Sequence, residues 1–380
     1  MAIRMKDIAK HLNVSVVTVS KSLRGHPDIS PETRERVLCC VQELNYRPNL
    51  AARGLVTGRT YMVGLVVPDL LHPFFAQIAE RVANRIRSKG YNAVIFSSGE
   101  EPGLEIEGIA SLLAHQVDGL ILASTLTKDQ IDVFRRIEEQ KVPYVLVDRN
   151  IPGLPANFVG VNDEEIGALA IDHLVQQGSR RIAHIRGPES STAVGRLSGY
   201  MKTMARHGLP VPPEYVVNAT LPDIKGIEGG FQAMQQLLAI DPRPDAAFCY
   251  NDLVAIGALQ AVLNAGIRVP ADIALIGVSN LPLTELLKVP LSTIDQSSSL
   301  IGDRAAKLLL RLMESTPGSR PTRIYLRPKL VVRDSSAFQP SADKRQRQIG
   351  NASAEPAAHK HSAPVKVQQA RPHPSGRTAA

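Results

Sequence analysis

Cysteine is scarce in this sequence. Cys39, Cys40 and Cys249 are the only three among 380 residues. Two of them are chain neighbours that are not expected to pair, and no Cys-x-x-Cys spacing exists, which excludes the usual zinc and redox motifs. All three read as ordinary thiols in a reducing cytoplasm. Long apolar runs are also missing. None approaches the roughly 18 residues that a membrane span needs, and the N-terminus lacks the apolar stretch of a signal peptide. The expectation is a protein neither exported nor embedded in a membrane. Catalytic signatures are absent too: there is no Gly-x-Ser-x-Gly elbow, no Gly-x-x-x-x-Gly-Lys phosphate loop and no His-Glu-x-x-His pair. Asp163, Glu164 and Glu165 are adjacent carboxylates, but they suit a helix start, where the dipole favours them. No catalytic, metal or cofactor residues are expected.

The composition is that of a globular protein, 44% hydrophobic and 21% charged, with length enough for two or three domains. The net charge of +8 is uneven. Residues 1–60 carry +5, residues 61–340 carry −2, and residues 341–380 carry +5. A basic head on a near-neutral body fits a nucleic-acid partner for the head alone.

The head has a specific pattern. In residues 5–23, Ile8, Ala9, Leu12, Val16, Val19 and Leu23 fall at helical spacings, interrupted at Asn13-Val14-Ser15. Asn tolerates the left-handed conformation that ends a helix, and Ser15 can cap the next one. The small Ala9 lets a second helix cross closely. Two short helices joined this way form a helix-turn-helix, whose second helix enters a DNA major groove. A third helix follows, capped by Ser30, started by Pro31, striped by Val37, Leu38, Val41 and Leu44, and stopped by Asn45 and Pro48.

From Tyr61 the pattern changes to short apolar runs alternating with amphipathic stretches. Residues 62–67, 93–96, 119–123, 144–147 and 158–161, then 182–185, 246–250 and 274–278, read as buried strands. Helices are expected near 74–89, 104–115, 128–140, 164–177, 195–207, 226–239 and 253–265. Such alternation, twice over, predicts two parallel sheets covered by helices, with a ligand cleft outside the carboxyl ends of the strands. Residues 339–380 are rich in Ala, Pro, Ser, Gln, Lys and Arg and poor in apolar groups. They read as a disordered basic tail.

Taken together the sequence resembles the LacI/GalR family of bacterial repressors. The motifs that carry this include Lys6-Asp7-Ile8-Ala9, Ser30-Pro31-Glu32-Thr33-Arg34, Leu44-Asn45-Tyr46-Arg47-Pro48-Asn49, Gly64-Leu65-Val66-Val67-Pro68-Asp69, Val117-Asp118-Gly119-Leu120-Ile121, Gly187-Pro188, Asn251-Asp252 and Ile256-Gly257-Ala258. The resemblance implies an all-α helix-turn-helix head plus an α/β two-lobed core of doubly wound parallel sheets. The expected boundaries are a head over 1–48, a hinge helix and linker over 49–60, an N-lobe of 61–161 and 291–320, and a C-lobe of 162–290 and 321–338.

The resemblance also implies site residues. Val16, Val17 and Lys21 would face base edges, the valines against thymine methyls and the lysine toward guanine. Core packing is the rival role for the valines, but two adjacent helical positions cannot both face inward. Ser15, Thr18, Ser20, Arg24 and Asn49 would contact phosphates. Leu55 would wedge into the operator from the minor groove beside Ala52 and Arg53, with interdomain packing its rival role, and Gly54 within that helix would weaken it off DNA. Arg4 stands where relatives carry a capping Thr. For a small-molecule effector, Arg196, Asp148, Asn251 and Gln296 match polar pocket positions, and Phe74 and Phe75 could form an apolar wall, with core packing at a helix start the equal alternative for each. Ser279-Asn280 replaces a common Asp-Asp, and Val194 replaces an additional arginine. With Arg149 close in sequence, a sugar, sugar acid or phosphorylated sugar is expected.

The functional expectation is a ligand-gated transcriptional regulator, a repressor by default, working as a homodimer on a pseudopalindromic duplex operator. It would be cytoplasmic and associated with the nucleoid when bound to DNA. A corepressor-dependent regulator is the alternative. A solute-binding protein for transport is a weaker one, against which the DNA-binding head argues.

Overall fold

The computed structural model describes residues 3–23, 25–46, 58–219, 225–315 and 320–337. The expected hinge helix, with Asn49, Ala52, Arg53, Gly54 and Leu55, lies outside these residues, as do Arg24 and the tail from 338 onward.

The head is three helices, α1 (Met5–Leu12), α2 (Val16–Leu23) and α3 (Pro31–Glu43). Asn13 ends α1 at φ 53°, its amide bonded back to Ala9 and Lys10. Ser15 starts α2, its Oγ accepting the Thr18 amide at 3.0 Å. At the N-terminus of α1 the Asp7 carboxylate accepts the Arg4 amide at 2.8 Å. The Arg4 side chain has no acceptor and caps nothing. Ile8, Ala9, Val19, Val37, Cys40 and Tyr46 close a core of only six buried residues.

The core domain holds two six-stranded sheets. The N-lobe sheet contains β1 (Met62–Val67), β2 (Asn92–Ser97), β3 (Gly119–Leu122), β4 (Tyr144–Val147), β5 (Phe158–Val161) and β11 (Arg323–Leu326), in the order β11-β5-β4-β3-β1-β2. The C-lobe sheet contains β6 (Ile182–Arg186), β7 (Val216–Asn218), β8 (Ala246–Cys249), β9 (Ala274–Val278), β10 (Ser292–Asp295) and β12 (Lys329–Val331), in the order β12-β10-β9-β8-β6-β7. All pairings are parallel except β10 with β12. Central strands such as β3 and β4 are buried at every position, as expected when helices cover both faces of a sheet.

The intervening helices are α4 (Pro73–Arg87), α5 (Pro102–Ala114), α6 (Asp132–Glu139), α7 (Asp163–Gln176), α8 (Ser191–Arg206), α9 (Gly226–Leu238), α10 (Asp252–Asn264) and α11 (Ser298–Glu314). α9 and α10 cross at close range through glycines. A Cβ on Gly257 would sit 1.8 Å from the Ile227 carbonyl oxygen, and one on Gly230 would sit 2.0 Å from that of Val254. No helix among the described residues is long and apolar enough to cross a membrane.

Two expected boundaries need correction. β10, placed with the N-lobe by the 291–320 boundary, pairs with β9 in the C-lobe sheet. β11, placed with the C-lobe by the 321–338 boundary, pairs with β5 in the N-lobe sheet. The chain therefore crosses between lobes three times: at Asn162, at Gln296-Ser297, and at Arg327-Pro328. Pairing partners set these crossings, and β5 and β11 are more than 160 residues apart, far beyond any local signal.

A candidate DNA-reading face and a candidate effector cleft

In the head, the two valines expected to read bases are displayed. Val16 is 44% exposed and Val17 is 61% exposed, while Val19 is fully buried. The valines were offered core packing as a rival role, and the structure gives that role to Val19. Ser15 Oγ and Thr18 Oγ1 bond each other at 2.8 Å, and the Thr18 carbonyl accepts from Ser22 Oγ. Ser20 is half-buried. Lys21 is tied to Asp28, which also holds His26. The Lys21 ammonium, first among its partners, holds the Asp28 carboxyl below the usual range.

Residues 59–61 are fixed to the N-lobe. The amides of Thr60 and Tyr61 donate to the Asp118 carboxylate at 3.1 and 2.6 Å. Arg59 donates to the Tyr91 hydroxyl and the Met313 carbonyl.

Between the lobes lies a cavity of about 960 Å³. Its N-lobe wall follows the carboxyl ends of β2, β3 and β4 at Glu100, Ser124, Thr125, Arg149 and Asn150, with Lys128 beyond. Its C-lobe wall follows β6 and β7 at Arg186, Gly187, Asn218 and Ala219, and includes the start of α8 at Ser190, Ser191, Val194 and Gly195. This is the position that open α/β sheets give to ligands. The Asn150 amide donates to Ser191 Oγ at 3.0 Å, bridging the lobes at the cavity. On the N-lobe wall a fully buried Glu105 accepts from Ser124 Oγ, from Thr125 Oγ1 and from the Thr125 amide. Burial pushes its carboxyl upward.

None of the seven expected effector residues lines this cavity. Phe74 and Phe75 are both 3% exposed and pack edge to face at 5.2 Å, so they are core residues at the start of α4. Arg196 is 3% exposed. Its Nε donates to Asp163 at 3.0 Å, its Nη1 donates to the Tyr250 carbonyl at 2.7 Å, and its guanidinium lies 4.7 Å over the Tyr250 ring. Burial lifts the Asp163 carboxyl to about 7 despite that ion pair. Asn251 caps α10 by accepting the Val254 amide. Ser279 donates to Gln296, and Gln296 also bonds Asp148. Burial pushes the Asp148 carboxyl up. Asp148, Gln296, Ser279, Asp163 and Arg196 thus form a buried polar cluster where the chain crosses between lobes.

Arg149 does line the cavity, but both its terminal nitrogens donate to Glu100, at 2.9 and 2.8 Å. This pair neutralises the charge that Arg149 was expected to offer a sugar acid. The cavity residues that the sequence reading did not select are Arg186, Lys128, Asn150, Ser124, Thr125, Ser190 and Ser191. For all but Arg186, which is itself the end of β6, one signal could have found them: each follows the carboxyl end of a strand or starts the next helix.

Comparison with known proteins fits both halves of this geometry. The family described as bacterial regulatory proteins, lacI family, matches residues 4–49, and a periplasmic binding protein-like domain matches residues 171–336. The chain is 33% identical to the ribose operon repressor of Haemophilus influenzae over 332 residues, which is 87% of this chain and 98% of that protein. Among solved structures it resembles a lac repressor dimer bound to operator and an anti-inducer, with a TM-score of 0.77 and 27% identity over 89% of this chain and all of that one. It also resembles a complex of the transcriptional regulator CelR with cellobiose, with a TM-score of 0.66 and 31% identity over 88% of this chain and 99% of that one. A helix-turn-helix head on a two-lobed binding core, matched at this identity over nearly the whole of its relatives, places the chain in the lacI family of bacterial regulatory proteins, DNA-binding regulators of transcription that respond to an effector.

Proposed function

We propose that the protein represses transcription by binding a pseudopalindromic operator as a homodimer, and that a polyhydroxylated small molecule in the interlobe cavity sets its operator affinity. The observation that carries this reading is the pairing of two surfaces: Val16 and Val17 displayed on a capped helix, and a large cavity at the strand ends of both lobes. Val16 and Val17 offer apolar contact to thymine methyls. Ser15, Thr18 and Ser20 suit phosphates, and Lys21 can exchange Asp28 for guanine.

Ser124 and Thr125 donate their hydroxyl hydrogens to Glu105. Thr125 keeps both hydroxyl lone pairs and Ser124, which also accepts the Leu126 amide, keeps one, so the wall offers acceptors that complement a sugar's hydroxyl groups. The ribose operon repressor and the cellobiose complex among the relatives support the same ligand class. Ligand that bridges the walls would draw the lobes together, and the Asp118 anchor would carry that motion to the linker. Gating of this kind requires different ligand affinities in the two core states.

The dimer reading draws on the N-lobe surface. Edge strand β2 exposes Val94 and Ile95, and the loop bonded to its end, Leu70 amide to Ser97 Oγ, exposes Leu71 at 79%. Such a patch suits a second copy. Catalysis has no place in this reading, and it sets the protein in the cytoplasm with its DNA.

The test is binding of the purified protein to palindromes upstream of its own and neighbouring genes, at fixed salt, with and without a panel of sugars and sugar acids. A compound that weakens specific binding supports induction, and one that strengthens it shows corepression. Failure to prefer any palindrome over random DNA would overturn the proposal.

A further inference from the structure

Among the described residues, one guanidinium on the cavity wall has no acceptor for its side chain. Three arginines lie at or beside it. Arg149 is committed to Glu100, and Arg196 is committed to Asp163 and the Tyr250 carbonyl. Arg186, the last residue of β6, lines the cavity, and its side chain makes no hydrogen bond or ion pair among the described residues. Its Nε is shielded from solvent and still has no partner. A buried donor on a permanently charged group calls for an explanation, because desolvating it without an acceptor is costly.

The surroundings of Arg186 favour negative charge. Helix α8 begins on the same wall, with Ser190, Ser191, Val194 and Gly195 at the cavity and no acidic residue in its first turn. The positive end of a 16-residue helix therefore meets the cavity beside Arg186. Lys128 faces the same space from the N-lobe wall and has no carboxylate partner among the described residues. Of the two carboxylates on the lining, Glu100 is neutralised by Arg149, and Glu189 is exposed and not within ion-pair distance of Arg186.

We infer that Arg186, with the first turn of α8, is an anion subsite of the effector cavity. The ligand it takes is a polyhydroxylated molecule bearing a carboxylate or a phosphate. The anion meets Arg186 on the C-lobe wall, and the hydroxyls meet Ser124 and Thr125 on the other. Because the ligand would span both walls, the charge would also contribute to drawing the lobes together. This inference rests on the cavity being the effector site, as proposed above. It adds that charge, and not the hydroxyl pattern alone, selects the ligand.

The test is calorimetric titration of the full-length protein with D-glucose, D-gluconate, D-glucose 6-phosphate and inorganic phosphate. It is run on the wild type, Arg186→Gln and Arg186→Lys, each confirmed folded by its melting curve. The wild type should bind inorganic phosphate and at least one of the two anionic sugars at millimolar concentration or below. Arg186→Gln should weaken these by about tenfold or more, the size expected for losing one charge-assisted contact. Arg186→Lys should recover part of the loss, and any binding of D-glucose should not change. Preference for gluconate identifies a carboxylate ligand, and preference for the 6-phosphate identifies a phosphate. The inference is overturned if no anion binds the wild type, or if Arg186→Gln binds the anions as well as the wild type does. Operator binding by the ligand-free wild type is measured alongside. Its absence would defeat the regulator reading and leave the anion result standing on its own.

Discussion

His184 shows how much one buried side chain can commit the molecule to a pH range. The ring is fully buried, stacked 4.7 Å from Phe248 and 5.3 Å from Tyr200. Its Nδ1 lies 2.9 Å from the Phe248 carbonyl, which can only accept, so Nδ1 carries the proton and Nε2 is left buried without a partner. Burial pulls the pKa down to about 4. A histidine depressed in this way contributes stability above its unfolded pKa of about 6.5, and that stability is lost as pH falls toward 4. The loss at pH 4 is about 3 kcal/mol. His184→Phe should therefore lose less stability than the wild type between pH 6.5 and 4 in urea titrations, and parallel curves would refute the assignment. Lys21 carries a prediction of another kind. Asp28→Asn frees it and removes a negative charge beside the reading face. Binding to random-sequence DNA should tighten, by up to about fivefold at fixed low salt. Unchanged affinity in anisotropy titrations would show that Lys21 already reaches DNA.

At the level of elements, local chemistry decided what could be read in advance. Ser15 ends the turn and begins α2, and the sequence announces both roles because capping depends only on near neighbours. Ser15→Ala should cost about 1 kcal/mol of head stability, read as a lower melting temperature for the head. It should weaken operator binding more than random-DNA binding, and equal weakening of both would deny α2 its reading role. The run Met62–Val67 was legible because a strand covered on both faces is continuously apolar. β7, β10, β11 and β12 were not: β7, β11 and β12 are short outer strands with partly exposed residues, and β10, though largely buried, reads Ser-Thr-Ile-Asp with a single large apolar side chain. α11 was passed over as well, although it covers β3, β4 and β5 through Ala305, Ala306 and Leu309. In the cavity, Val194 was noted for what it replaces, but Arg186 follows Ile-Ala-His-Ile and resembles any solvated strand end. Only the absence of a partner in three dimensions sets it apart. Gly257 likewise carries no local message, yet it lets α10 touch α9. Gly257→Ala drives a methyl into the Ile227 carbonyl and should cost about 1–3 kcal/mol. A thermal melt matching the wild type would mean the two helices can separate at little cost.

For the molecule as a whole, the exposed edge of β2 and the three lobe crossings set the behaviour. Ile95→Asp places a charge on the patch proposed to meet a second copy. Sedimentation should then show monomers, and operator affinity should fall steeply because one head would read one half-site. A dimer that persists would place the interface elsewhere. The crossings have a consequence during synthesis. The head's described core closes with Tyr46, so the helix-turn-helix is complete when little more than the first tenth of the chain has left the ribosome. The first sheet must wait for β11 at residues 323–326, and the second must wait for β12 at 329–331. Neither lobe can finish folding before the other is nearly translated. A nascent chain that stalls midway is therefore a reader without a sensor, with open sheet edges that chaperones must cover until the last strands arrive.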